Sequence, residues 1–216
     1  MNPTVPPTIP IGLYLSGAEL PTPSHPLGWE EAKQILASSQ DAEVHLATID
    51  AVARNLAGTR TITAGDANAV LEHSPVALWG AMRLADALAA NYPPLDLYRL
   101  TQAAGTPPAD DEARALHLWA TAEMNHEWLS DPFRALEACR EYLELSDGHT
   151  WLRPSLTIAG IVLDAAIDGA TGPIAPIGEA IMLRWEQRII DTVESFDPDY
   201  AYTENQLLDI WKSDHQ

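Results

Sequence analysis

The sequence predicts an all-α protein: a bundle or short stack of antiparallel helical hairpins, with an extended, proline-rich N-terminal arm. Apolar residues recur at intervals of three and four along most of the chain, which is the spacing of one helix face. Prolines and glycines fall between these segments and mark their ends. No strand pattern is convincing, and 216 residues suit one domain of ordinary size. We therefore expect an arm at residues 1–27 and a single α-helical domain at residues 28–216.

The arm is the segment in which proline is densest. Seven prolines lie among its 27 residues, and each removes a backbone donor and favours extended or turn conformations. The apolar run from Ile11 to Leu15 could form one short strand or dock on the helical body. We favour docking over a role as a proline-rich ligand, because the prolines form no sustained Pro-x-x-Pro series.

Helical spacing continues through the first half of the chain after the arm. Between residues 29 and 56 the apolar positions keep the period of one helix face, and the polar patch at 38–41 is a point where this helix could divide. Ser74 followed by Pro75 is typical of an N-cap with proline in the first turn. The predicted helices of this half are 29–56, 65–72, 75–90 and 95–104.

The second half contains the most apolar and the most acidic of the predicted helices. The segment 154–167 is apolar almost all round, so we expect it to be the central buried helix. Its carboxylate needs a partner, and we expect Asp164 to meet an arginine such as Arg153 or Arg184. The last predicted helix begins at Thr203 with a capping-box pattern. The predicted helices of this half are 111–129, 132–146, 154–168, 177–195 and 203–212.

Net charge limits the class of partner. The chain carries 31 acidic and 12 basic residues, a formal charge of -19. Direct nucleic-acid binding is not expected, because phosphate contacts need clustered Lys and Arg, whereas a basic protein surface is favoured. The alternative is that the charge only maintains solubility or reflects the source of the chain. No apolar run could cross a bilayer and no basic residue precedes Lys33, so we expect a cytoplasmic protein with no membrane contact and leave its oligomeric state open.

One helical hairpin resembles a known family. Trp119 and Ala135 fall at the distance that tetratricopeptide repeats use for their aromatic and small packing positions. The corner Ser130-Asp131-Pro132 leads into a second helix that is similar to theirs. The segment 113–148 therefore resembles one tetratricopeptide-like repeat, while no family is assigned to the whole chain. The resemblance implies a curved stack of helix pairs whose inner face binds a peptide or protein segment.

Acidic residues of the same hairpin form the predicted binding surface. Between Asp110 and Asp147 there are ten carboxylates against three arginines. We expect an acidic helical protein–protein interaction module, of the inhibitor, immunity or assembly type, that binds a basic partner. The predicted partner-binding residues are Asp110, Asp111, Glu112, Glu137, Glu141 and Glu144.

A second hypothesis places chemistry in this hairpin. Helical spacing sets Glu123, His126 and Glu127 on one face, where a carboxylate and an imidazole can converge. Glu-x-x-His is half of a di-iron carboxylate site, but the chain has no second copy, so no metal or cofactor is expected. The alternative function is a small helical enzyme or metal-binding bundle that uses Glu123 and His126. Residues that could complete a mononuclear site are His45, Asp164 and Asp168.

No motif in the sequence assigns a catalytic residue. The chain lacks a Gly-x-Ser-x-Gly elbow, a P-loop, a Gly-x-Gly-x-x-Gly turn, a Cys-x-x-Cys pair and a His-Glu-x-x-His helix. The single cysteine, Cys139, excludes an internal disulfide and is expected to be a small buried helix residue.

Overall fold

The computed structural model describes residues 4–56, 63–88, 107–168 and 172–196, and among these residues it contains α-helices and no β-strand. The predicted all-α class is confirmed. The predicted helices at 95–104 and 203–212, including the capping box at Thr203, lie outside the described residues. The helices are α1 (Ile11–Leu15), α2 (Trp29–Ser38), α3 (Ala42–Leu56), α4 (Ala64–Leu71), α5 (Ala77–Leu88), α6 (Asp111–Glu127), α7 (Pro132–Gly148), α8 (Leu156–Ile167) and α9 (Ala175–Phe196).

Most helix ends lie near their predicted positions, because neighbouring residues determine them. The predicted helix at 29–56 divides at 39–41 into α2 and α3, as the polar patch indicated. The helix after Ser74 begins later than expected. The Ser74 hydroxyl accepts a hydrogen bond from the backbone N–H of Val76, and regular helix starts only at Ala77.

The chain divides into two compact units. The first unit contains residues 1–14 and 18–120, and the second contains residues 15–17 and 121–216. The division falls inside α6, whose N-terminal part belongs to the first unit and whose C-terminal part belongs to the second. The arm boundary at residue 27 and the single domain at 28–216 stay predictions.

The first unit buries the apolar faces of α2, α3 and α5 in its core. α3 is buried along most of its length and packs against α5. Burying one large apolar side chain stabilises a fold by about 1.5–3 kcal/mol. Burial of the apolar side chains named next therefore provides most of the driving force for folding of this unit. The largest fully buried side chains of this unit include Ile11, Leu27, Ile35, Leu46, Ile49, Trp79, Leu84 and Leu116.

Part of the N-terminal arm packs in the first unit. Residues 11–15 form helix α1, so the alternative of a short strand was wrong. The carbonyl of Pro10 accepts hydrogen bonds from the following turn and starts this helix. Ile11 is fully buried, and the Tyr14 hydroxyl accepts a 3.2 Å hydrogen bond from the indole Nε1 of Trp79. These contacts agree with the docking that the apolar run predicted for this part of the arm.

Helix α3 carries a buried carboxylate, Asp50, between two arginines. Arg54 Nε donates to one carboxylate oxygen at 2.6 Å, and Arg83 Nε donates to the other at 2.9 Å. Arg54 also donates to the backbone carbonyl of Leu20 at 3.2 Å, which links the arm to α3. Asp50 is only 5 % exposed, and a carboxylate at that depth needs both of its oxygens compensated.

Packing of α8 against α9 dominates the second unit. α8 is buried on most sides, as predicted for a central helix. α9 comes so close to it that a Cβ at Gly178 would lie 2.9 Å from the Cβ of Ala165. The buried Tyr142 hydroxyl of α7 donates to the carbonyl of Arg153 at 2.9 Å and fixes the connection that precedes α8. Neither α8, with 12 residues, nor any other described helix is long and apolar enough to cross a membrane.

Candidate functional site

The corner between α6 and α7 has a backbone that several hydrogen bonds hold in place. Ser130 adopts a positive φ of 51°, which turns the chain between the two helices. The N–H of Leu129 donates to the Met124 carbonyl at 3.1 Å, and the N–H of Asp131 donates to the Asn125 carbonyl at 2.9 Å. The Asp131 carboxylate then caps α7 by accepting from the N–H of Arg134. This corner therefore positions the start of α7 through backbone contacts.

Three of the predicted partner-binding residues form one stripe on α7, which we name the α7 acidic face: Glu137, Glu141 and Glu144. Their spacing of four and three residues places them on one side of the helix. Glu137 and Glu144 are exposed and Glu141 is half-buried. Glu144 is paired with Arg140 at 3.4 Å and Arg184 at 3.6 Å. In the described part of the chain, no ion pair joins Glu137 or Glu141 to a basic side chain.

The other three predicted partner-binding residues lie at the start of α6, in the first unit. Asp110 is exposed, and its carboxylate accepts a hydrogen bond from the N–H of Ala113, so it acts as an N-cap. Asp111 is half-buried and Glu112 is exposed. Glu112 contributes, after burial and Asp41, to raising the pKa of Glu43. Two of these three acids therefore act on the first unit itself, by capping α6 and by electrostatic repulsion.

The predicted polar cluster of α6 gains a carboxylate from another helix. His126 Nε2 lies 3.5 Å from Glu127 Oε1 and 3.5 Å from Asp164 Oδ2 on α8. The partner of Asp164 is therefore an imidazole, and the expectation of Arg153 or Arg184 was wrong. Helix spacing had placed Glu123, His126 and Glu127 together, but it could not indicate which side chain of α8 would face them.

Burial is the main cause of the pKa shifts of the carboxyl groups in this cluster. Burial raises the pKa of Glu123, and the charge of Glu127 raises it further, while His126 acts in the opposite direction. Burial also raises the pKa of Asp164, again opposed by His126. Across the described ranges, no set of three His, Cys, Asp or Glu residues is arranged to hold a metal ion.

His45 lies in the first unit and does not belong to this cluster. Its ring is buried, with Nε2 2.9 Å from the carbonyl of Ser39 and Nδ1 2.9 Å from the Ser74 hydroxyl. Since a carbonyl only accepts, Nε2 carries the hydrogen and Nδ1 accepts from Ser74. Burial lowers the pKa of His45. A neutral imidazole that bridges two turns is a structural element, so the mononuclear site that included His45 gains no support.

The pH dependence of stability should reveal the cost of burying Glu123. A carboxyl whose folded pKa is raised binds its proton more tightly in the native state, so its contribution to stability improves as pH falls through the folded pKa and is least favourable above it. We expect Glu123→Gln to stabilise the protein by up to about 1 kcal/mol at pH 8, with the gain disappearing near pH 4. Urea denaturation between these pH values measures it.

Glu137→Gln is the matched control, because it removes the same charge from an exposed position of the same unit. Any general relief of repulsion between negative charges stabilises both variants equally. A pH-dependent difference in stability between the two variants is therefore due to the burial of Glu123. A less stable Glu123→Gln protein at pH 8 would mean that the Glu123 carboxylate is favourably paired, contrary to this account.

Two features of the site were not predicted from the sequence. Trp128 and Phe133, on either side of the α6–α7 corner, remain 38 % and 49 % exposed. The second unit also contains a cavity of about 810 Å³, and Arg153 and Arg188 are among the residues that line it. Arg188 is already engaged, because it donates to Asp147 at 3.1 Å and to the Ser146 carbonyl at 3.1 Å. The exposure of an aromatic ring depends on which residues pack over it, and this cannot be predicted from helical spacing alone.

Comparisons with models of protein families, with curated proteins and with solved structures gave no match. The resemblance of residues 113–148 to a tetratricopeptide-like repeat stays a prediction. The Trp119 ring is half-buried and lies 6.2 Å from the Tyr14 ring, and Ala135 is fully buried. A function can therefore be proposed only from the charge, exposure and ion pairing of the side chains on the surface of the second unit.

Proposed function

We propose that this protein is an acidic helical interaction module that binds a basic protein partner through the α7 acidic face. One observation carries the proposal. Residues 121–168 and 172–196 contain thirteen Asp and Glu against five Arg. Three of these five arginines are paired within the unit: Arg140 and Arg184 with Glu144, and Arg188 with Asp147. These pairs engage most of the positive charge of the unit, so the exposed Glu137 and the half-buried Glu141 of α7 have no ion-pair partner among the described residues.

An uncompensated acidic face acts mainly on the rate and orientation of encounter. The negative potential of an acidic face accelerates association with a basic surface and fixes the register of the two proteins. The same potential repels nucleic acid and other acidic proteins. Each exposed charge pair contributes only about 0–1 kcal/mol, so several must act together. A fixed helix that presents acids at intervals of four and three residues meets this requirement. An inhibitory, immunity-type or assembly role fits such a surface, and a cytoplasmic location remains part of the proposal.

Photochemical cross-linking from the acidic face tests the proposal. A photoreactive benzoylphenylalanine in place of Arg134 sits one turn before Glu137, at an exposed position of α7. In lysate of the source organism at low salt, we expect ultraviolet light to produce a covalent adduct with a protein whose cross-linked segment is rich in Lys and Arg. The same label in place of Gln34, an exposed residue of α2, is the positional control and should not capture that protein.

Charge neutralisation identifies which acids matter. In the protein labelled at position 134, Glu137→Gln with Glu141→Gln should reduce the adduct yield at least several-fold. Glu19→Gln with Glu72→Gln removes two charges from exposed positions of the first unit and should leave the yield unchanged. Equal yields from positions 134 and 34, or equal effects of the two double variants, would show that the acidity serves only general solubility.

The alternative of a small helical enzyme or metal-binding bundle centred on Glu123 and His126 stays a prediction. The contact between His126 and Asp164 gives it a third polar group, at 3.5 Å. Metal analysis of the purified, dialysed protein tests it separately. A stoichiometric transition metal that is lost in His126→Ala would favour this alternative over the interaction module.

A further inference from the structure

Two aromatic rings are exposed at the corner between α6 and α7. Trp128 follows the last residue of α6, and Phe133 lies in the first turn of α7. They retain 38 % and 49 % exposure. Single exposed apolar residues are ordinary, but aromatic side chains bring about 150–250 Å² of surface each and dominate many interfaces. Two of them, five residues apart in the chain, lie on either side of one short turn, and we name this pair the aromatic corner: Trp128 and Phe133.

The backbone of the aromatic corner is held in its observed conformation before any partner arrives. Its turn residue Ser130 has a positive φ, and the N–H groups of Leu129 and Asp131 are bonded to carbonyls of α6. The Asp131 side chain caps α7 two residues before Phe133. Side chains on such a fixed turn lose less conformational freedom on binding than side chains on a free loop.

Charges around the aromatic corner indicate the chemistry of its occupant. Glu127, which precedes Trp128 in the chain, lies 3.5 Å from His126 but its side chain is 57 % exposed, and Glu137 follows Phe133 by one helical turn. Trp185 in the same unit has its ring covered by the guanidinium of Arg184, 4.3 Å from the centroid. In the described part of the chain, no Lys or Arg stacks in this way on Trp128 or Phe133. Rings of this kind with adjacent carboxylates favour a cation from another molecule.

We propose that the aromatic corner is the docking site for a basic polypeptide segment. A Lys or Arg side chain of the segment stacks on the aromatic rings, its charge is compensated by Glu127 and Glu137, and an apolar neighbour covers the remaining ring surface. This inference rests on the proposed function and specifies it: the partner presents cationic and apolar side chains together, rather than a uniformly basic surface.

Binding of a defined peptide tests the inference. The probe is a fluorescent synthetic peptide in which Lys and Leu occupy adjacent faces of a helix, and the same peptide with acetylated lysines is the charge control. Removing a cation–π contact together with its apolar cover should weaken binding about tenfold. We expect this loss in Phe133→Ala, and a smaller loss of about threefold in Trp128→Leu, which removes the aromatic face but keeps an apolar side chain and protects the fold. Circular dichroism confirms that each variant remains helical.

Ile177→Ala and Leu183→Ala are matched controls, because both residues are large, apolar and exposed on α9 of the same unit. They should bind the peptide like the wild type. Wild-type affinity in both corner variants, or equal affinity for the acetylated peptide, overturns the aromatic corner as a cation site. A wild-type dimer that dissociates in Phe133→Ala also overturns it, since the occupant is then a second copy. Cross-linking from position 134 decides the proposed function independently of these results.

Discussion

Replacing Gly178 by alanine is expected to destabilise the second unit by about 1–3 kcal/mol, although alanine is the better helix former. Gly178 is buried where α9 contacts α8. A Cβ there would lie 2.9 Å from the Cβ and 3.0 Å from the backbone carbon of Ala165. Backbone atoms inside a central helix cannot rotate away as the end of a side chain can, so the two helices must separate. Urea denaturation followed by circular dichroism measures the loss.

Gly160→Ala on α8 is the control for this prediction. A Cβ at Gly160 meets nothing within 4 Å, so only the change in helix propensity remains. That change should stabilise the protein by about 0.5–1 kcal/mol. The two glycine substitutions are therefore expected to have opposite signs. A stabilised Gly178→Ala protein would contradict the close approach of α8 and α9.

Asp50→Ala is expected to destabilise the first unit by about 2–4 kcal/mol. The substitution removes one carboxylate but leaves two arginines, Arg54 and Arg83, without the oxygens that they contact at 2.6 and 2.9 Å. Both guanidinium groups are partly exposed, so water recovers some of the loss and the expected value lies below that of a fully buried pair. Thermal and urea denaturation report this change directly.

Asp86→Ala separates burial from simple charge pairing. Asp86 contacts the same guanidinium, Arg83, at 3.2 Å, but its side chain is 64 % exposed. Exposed pairs contribute little, so this variant should lose no more than about 0.5 kcal/mol. If Asp50→Ala and Asp86→Ala lower the free energy of unfolding by the same amount, burial of Asp50 has no energetic significance.

Helix boundaries could be predicted from the sequence where neighbouring residues determine them. The polar patch at 39–41 ends α2, and Asp131 with Pro132 starts α7, because caps and prolines act within one turn. The short helix α1 was not predicted, since five residues are too few to show a helical period. Its conformation depends on the burial of Ile11 and on the Tyr14–Trp79 contact, which no local pattern contains.

The candidate site was predicted only in part, because the sequence indicates which residues share a helix but not which side chains of other helices they contact. Acid density predicted Glu137, Glu141 and Glu144 as partner-binding residues, and in the structure they lie on one helix, α7, at intervals of four and three residues. The ion pairs of these glutamates could not be predicted from their spacing along the helix. Glu144 is partly neutralised by Arg184, which is forty residues further along the chain. The contact of His126 with Asp164 on α8 is likewise a product of tertiary packing.

The proposed function requires that the uncompensated carboxylates of the α7 acidic face recruit a basic protein. The salt dependence of the adduct formed from position 134 tests it most directly. Raising the salt from about 0.05 M to about 0.5 M shortens the screening length several-fold, so the adduct yield of the wild-type protein should fall steeply. The yield of the Glu137→Gln, Glu141→Gln variant should be low and nearly independent of salt. Equal yields at both salt concentrations in the wild-type protein would contradict the claim.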